Sequence, residues 1–215
     1  MTNKKPEYNN IELFPTLVWL INLDWKFNKQ EKQVFKDALT DTSKNTGNIR
    51  SNNTYILNEK PLLDFKDHLL THIENYFDYV YKPPDTIKPY ITQSWLNLTN
   101  QHMFHNNHSH ANSWMSAVFY YKTQEEDVIQ FYAARGNGGY EGSRTQLKLE
   151  PQQWGRYNSY SWDVPVSTGD LIIFPSSLNH GIPPKQTKGD RISLAFNAFL
   201  SGTFGDKENL TELII

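Results

Sequence analysis

The sequence predicts a mainly β, α+β fold: an antiparallel sandwich or barrel braced by N-terminal helices. Three observations predict it. Aromatic residues make up 14% of the 215-residue chain (Trp 6, Tyr 12, Phe 12), a composition suited to pleated, half-buried surfaces. From Tyr90 onward the apolar period is two, in seven short segments separated by Gly, Pro and Asn turns. Before that point one long stretch repeats at three and four residues, the spacing of one helix face.

The elements follow in chain order. After a polar leader, Ile11 to Leu23 (IELFPTLVWLINL) reads as an extended, partly buried segment, Asn28 to Thr40 as a short helix, and DTSKNTGNIRSNN as a loop. Leu62, Phe65, Leu69, Ile73, Tyr76, Phe77 and Val80 line one face of a helix from Pro61 to Tyr81, with proline tolerated in its first turn and Pro83-Pro84 ending it. Strands are expected at Ile91 to Thr99, Ser113 to Lys122, Asp127 to Ala133, Thr145 to Glu150, Ser159 to Val166, Asp170 to Pro175 and Arg191 to Phe199. Arg135 to Arg144 is glycine-rich without the strand-loop-helix setting of a phosphate loop, and reads as a connection. One domain over 1–215 is expected, with helical support to about residue 90 and a β core from about 91 to 200.

Composition excludes several functions. With 21 basic against 23 acidic residues there is no electrostatic footprint for nucleic acid or an anionic membrane. With no cysteine, thiolate metal sites, iron–sulfur clusters and cysteine nucleophiles are ruled out, so any metal sits on His, Asp, Glu or amide groups. No apolar run approaches the roughly 18 residues that span a bilayer, and the expectation is a cytoplasmic protein.

Four of the seven histidines fall in QHMFHNNHSH: His102, His105, His108 and His110. In an extended backbone, residues two apart share a side at roughly 6.5–7 Å, so His108 and His110 can converge on one ion about 2.0–2.2 Å from each ring nitrogen. His180 stands far downstream in IIFPSSLNHGIPP, where an apolar strand runs into a turn; it supplies a third point if two strands lie close. Against this stands the plain reading of a solvated His/Asn loop and a structural histidine. Arg191 shifts the balance: it opens the last strong strand, shares a face with Ser193, and its fork beside a hydroxyl suits bidentate capture of a carboxylate.

HSH, then SAVFYY, then GDLIIFPSSLNHGIPP, then RISLAFNAF resembles the Fe(II)- and 2-oxoglutarate-dependent oxygenases, in particular an uncharacterised H-x-H branch related to prolyl hydroxylases; LFPTLVW is similar to the opening of that branch. The resemblance implies a double-stranded β-helix, a jelly-roll, cupin-like barrel. It implies His108 and His180 as iron ligands, Arg191 with Ser193 gripping the distal carboxylate of 2-oxoglutarate, and Tyr120 adding a phenol hydrogen bond, with the ordinary strand aromatic as the alternative. Fe(II), 2-oxoglutarate and O2 are the implied cofactors.

The chain departs from the family at the third ligand, because the carboxylate position of H-x-D/E holds His110. Three arrangements are open: His110 binds, giving a three-histidine site; His110 is the first ligand with Asn112 in the carboxylate position; or Glu125, Glu126, Asp127 or Asp163 fills the place. His105 with Asn107 is a further register, and His102 reads as peripheral. The implied activity is hydroxylation of a C–H bond, in a peptidyl or amino-acid substrate by analogy with prolyl hydroxylases. A cupin-like three-histidine metalloenzyme that does not use 2-oxoglutarate, and a non-catalytic jelly-roll binding protein, are the alternatives. Trp114, Trp154, Tyr157 and Trp162 are candidate entrance residues or barrel packing.

Overall fold

The computed structural model describes residues 9, 11–133 and 152–215. The elements are β1 (Trp19–Asn22), α1 (Lys29–Ala38), β2 (Thr42–Lys44), β3 (Ile49–Ser51), two 3-10 turns (Ile56–Asn58 and Lys60–Leu62), α2 (Leu63–Tyr81), β4 (Lys88–Thr99), β5 (His105–His108), β6 (Met115–Lys122), β7 (Val128–Tyr132), β8 (Ser161–Pro165), β9 (Asp170–Pro175), β10 (His180–Ile182), β11 (Arg191–Ser201), β12 (Thr203–Phe204) and β13 (Leu213–Ile214).

Two antiparallel sheets face each other. The larger has the order β1-β9-β6-β11-β4-β3-β2 and the smaller β5-β10-β7-β8, while β12 and β13 pair separately. From β4 to β11 the chain crosses between the sheets at every step except β7 to β8, which pair within the small sheet; this is the double-stranded β-helix that the family resemblance implies.

Burial on both faces explains why Leu171 to Phe174 of β9 are apolar without interruption. Leu171 and Ile173 of β9, Phe119 of β6 and Leu194 and Phe196 of β11 point to one side of the large sheet, where they meet Phe35 of α1 and Phe65, Leu69, Ile73 and Phe77 of α2. Ile172 and Phe174, with Val118 and Tyr120, point to the other side and pack on Ile129, Phe131 and Val164 of the small sheet. A strand covered on both faces loses the polar half of its alternation. The inner face of β11 is the exception: Arg191, Ser193 and Asn197 are buried there beside Ala195.

The short helix α1 starts where a capping box closes: Asn28 accepts from the amides of Gln30 (2.8 Å) and Glu31 (3.0 Å), and Glu31 accepts from the Asn28 amide (2.6 Å). Pro61 lies in the 3-10 turn before α2, and α2 ends at Lys82 in a left-handed conformation.

Some readings change. Only Trp19–Asn22 of the first apolar segment forms a strand, and Ile11, Leu13 and Phe14 are exposed. The expected loop after α1 folds into the β2–β3 hairpin at the sheet edge, with Ile49 opposite Leu98 and Arg50 opposite Asn97. Such an edge carries no apolar alternation to announce it. Its turn requires Gly47, whose φ is +88° and where a Cβ would stand 2.6 Å from the Phe104 carbonyl oxygen. The expected connection Arg135 to Arg144 and strand Thr145 to Glu150 lie outside the described residues.

Candidate metal centre

His108 closes β5 and His180 opens β10, and the two are directly opposite in the antiparallel ladder. That register brings together residues 72 positions apart in the chain. β10 comes this close because Gly181 has no side chain: a Cβ there would lie 2.9 Å from the His105 carbonyl oxygen. His110 lies beyond the end of β5, and its amide donates to the Ser176 carbonyl at 3.0 Å. The rings of His108 and His180 have centroids 4.4 Å apart, His108 and His110 5.0 Å, and His110 and His180 5.2 Å. One ligand atom from each of the three lies within 4.8 Å of the others, and among the described residues this is the group of His, Asp and Glu that can hold a metal ion.

The hydrogen bonds orient two of the rings. His108 Nδ1 donates to the Asn106 carbonyl at 2.7 Å and His180 Nδ1 to the Leu178 carbonyl at 3.0 Å, which leaves each Nε2 as the lone-pair nitrogen. Burial, reinforced by neighbouring imidazoles, lowers His110 to about 4 and His180 to about 3. Both are therefore neutral at pH 7, the state a ligand needs.

His105 stacks on His108 at 4.3 Å and is lowered to about 4, first by burial and then by the other histidines and Arg191, but it is not one of the three convergent ligands. His102, Asn107 and Asn112 are exposed, with His102 and Asn112 at positive φ. Asp127 is paired with Lys185 at 3.1 Å, Asp163 accepts from Gln130 at 2.7 Å, and Glu125 and Glu126 are exposed.

A cavity runs from the triad along the inner face of the large sheet, past Ser193 and Tyr120. Ser193 is opposite Tyr120 on β6 and Asn97 on β4. Register also fixes the depth: Met115 lies opposite Ala198 and Lys122 opposite Ile192, so Arg191 sits at the end of the sheet remote from the start of β6. There Arg191 is 1% exposed, and Nη1 donates to the Val128 carbonyl at 3.1 Å. Its Nε and Nη2, and the hydroxyl of Tyr120, are buried with no hydrogen-bond partner among the described residues. Burial raises the Tyr120 phenol above its ordinary range and lowers the Arg191 guanidinium. Three buried donors without acceptors are costly unless an anion meets them.

Sequence reasoning missed the polar bonds beside the triad. Ser176 bonds Ser113 (2.7 Å) and Ser116 (2.8 Å), and Ser116 donates to Asn197 (2.9 Å). Alternation along β6 and β11 would have put Ser116 and Asn197 on the inner face with Tyr120 and Ser193. Trp162 lines a second pocket next to the small sheet with Phe131 and Leu178, whereas Trp114 packs on Tyr81, Trp154 on Tyr160, and the Tyr157 hydroxyl donates to Glu12.

The fold and the triad define the class: a double-stranded β-helix with three convergent imidazoles at one end and a buried guanidinium at the other. Residues 93–197, which run from β4 to β11, match the family described as "Putative 2OG-Fe(II) oxygenase". No curated protein sequence matches the chain significantly. Similar solved structures include an oxidoreductase of the 2OG-Fe(II) oxygenase family from Burkholderia pseudomallei (10% identity, TM-score 0.55, 84% of each chain covered). HygX from Streptomyces hygroscopicus, solved with nickel, 2-oxoglutarate and hygromycin B, is 16% identical (TM-score 0.51, covering 85% of this chain and 82% of that one). A prolyl hydroxylase from Trichoplax adhaerens, in complex with a hypoxia inducible factor peptide fragment, is 10% identical (TM-score 0.52, 85% and 83%). Among the described residues no helix is long and apolar enough to cross a membrane.

Proposed function

We propose that the protein is an Fe(II)- and 2-oxoglutarate-dependent dioxygenase in which His108, His110 and His180 hold the iron, and Arg191, Ser193 and Tyr120 hold the cosubstrate. The observation that carries this is the pairing of two half-sites in one barrel: three imidazoles within ligand distance, and three donors on Arg191 and Tyr120 that lack acceptors. A divalent ion fits the first and a carboxylate the second. When bound, iron and 2-oxoglutarate supply the dioxygen-dependent oxidation of a C–H bond, with succinate as coproduct.

The chain's own part is binding, orientation and exclusion of water. Leu178 and Asn106 fix the ring tautomers of His180 and His108. Arg191 neutralises the distal carboxylate while Tyr120 donates to it, and Ile129 and Phe174 wall the cavity with apolar surface. A peptidyl or amino-acid substrate is the reading we favour, supported by the prolyl hydroxylase resemblance; the likeness to HygX keeps small molecules in view. We also read the helices and barrel as one domain, supported by the apolar core that α2 shares with the large sheet.

Calorimetry with Mn(II) and 2-oxoglutarate tests the assignment. Wild-type protein should bind both, His180→Ala should lose the metal, and Arg191→Ala should lose 2-oxoglutarate while retaining Mn(II). Unchanged 2-oxoglutarate binding in Arg191→Ala removes the cosubstrate assignment. Metal binding without 2-oxoglutarate binding would favour the cupin-like reading, to which the three-histidine triad also conforms.

A further inference from the structure

Behind the cavity lies a buried cluster of three charges. Lys185 and Asp127 have side chains 1% and 3% exposed, with Nζ 3.1 Å from Oδ1. Lysine is rarely so buried without a specific partner. Arg191 lines a separate pocket together with Lys185 and Asp127, and its Nη1 bonds the carbonyl of Val128, the neighbour of Asp127. An arginine beside a buried carboxylate ordinarily forms a two-pronged pair with it. Here Asp127 is otherwise engaged: Oδ1 faces Lys185 and Oδ2 accepts from the Gln124 amide at 2.8 Å. Arg191 keeps Nε and Nη2 without partners.

Lys185 is held in place from elsewhere. Its amide donates to the Met103 carbonyl at 2.9 Å, its carbonyl accepts from the His102 amide at 2.8 Å, and Nζ also bonds the Thr187 hydroxyl. Among the buried groups, two cations against one carboxylate leave a single positive charge in surplus; Glu126, which also lines the pocket, is exposed. That surplus sits on the guanidinium whose donors are open.

We infer that Lys185 is a positioning residue for cosubstrate capture: by holding the Asp127 carboxylate it prevents an internal Asp127–Arg191 pair and keeps Arg191 free for the distal carboxylate of 2-oxoglutarate. This rests on the cosubstrate reading above. Without the ammonium, Asp127 is a buried anion whose nearest uncompensated cation is Arg191, and it becomes an intramolecular competitor of the ligand.

The test is calorimetric titration of 2-oxoglutarate into Mn(II)-loaded wild type, Lys185→Met, Asp127→Asn and the double variant, with Mn(II) affinity measured separately. Lys185→Met should weaken 2-oxoglutarate binding by about tenfold or more with Mn(II) affinity unchanged, and adding Asp127→Asn should restore most of the loss. A merely structural role would lower both affinities together. Wild-type affinity in Lys185→Met, or a double variant no better than the single, overturns the inference. If Lys185→Met does not fold, Asp127→Asn decides: affinity kept or raised supports the competitor role, and a tenfold loss refutes it. Wild-type protein that binds Mn(II) but not 2-oxoglutarate would remove the underlying cosubstrate reading and this inference with it.

Discussion

At the scale of the residue, His110 is where the proposed site is chemically distinct, because an imidazole stands where the family pattern has an anionic oxygen and the three side chains bring no negative charge to the ion. Replacing His110 with Asp returns one negative charge to the ion's surroundings, and Mn(II) should then bind roughly tenfold tighter or more in calorimetry. The buried rings also tie stability to acidity. Folded His180 and His110 sit at about 3 and about 4, below the unfolded value of 6.5, so the unfolded chain takes up protons that the folded one refuses. The stabilisation present above pH 6.5 is lost as pH falls toward 4. Melting of metal-free protein should show Tm decreasing through that window, with a shallower slope in His180→Ala. The candidate ligands were legible because period two put His108 and His110 on one side and the apolar run before His180 placed it at a strand end. Ser116 and Asn197 were not. Their role depends on cross-strand register, and no spacing within one strand encodes which polar residues face each other.

At the scale of the element, β10 is the part on which the site turns. It is three residues long, yet it pairs on one side with β5 and on the other with β7, where His180 faces Phe131. Gly181→Ala would force a methyl group against the His105 and Asn106 carbonyls, at 2.9 and 3.0 Å, with backbone on both sides of the conflict. The expected result is separation of β5 from β10 and at least about tenfold weaker Mn(II) binding, with far-UV circular dichroism unchanged. Such short strands escape sequence reading because three or four residues hold too few alternations to register. The long elements were read well: the sequence places strands over Ile91 to Thr99 and Arg191 to Phe199, inside the observed Lys88–Thr99 and Arg191–Ser201. Both are long enough for the pattern to repeat.

At the scale of the whole molecule, the helices and the candidate cavity lie on opposite faces of one sheet, so stability and ligand binding can be altered separately. Leu69 of α2 is fully buried against the sheet, and Leu69→Ala should cost about 2–5 kcal/mol, lowering Tm while the folded fraction binds 2-oxoglutarate with wild-type affinity. The position of β11 has another consequence. It lies between β6 and β4 at the centre of the large sheet, yet it is translated after both. Until the ribosome delivers it, the nascent chain holds two apolar strands whose facing edges have nothing to pair with. Closing that gap needs contacts across about a hundred residues, so folding should be slow and should hinge on shielding those edges from neighbouring polypeptides during synthesis.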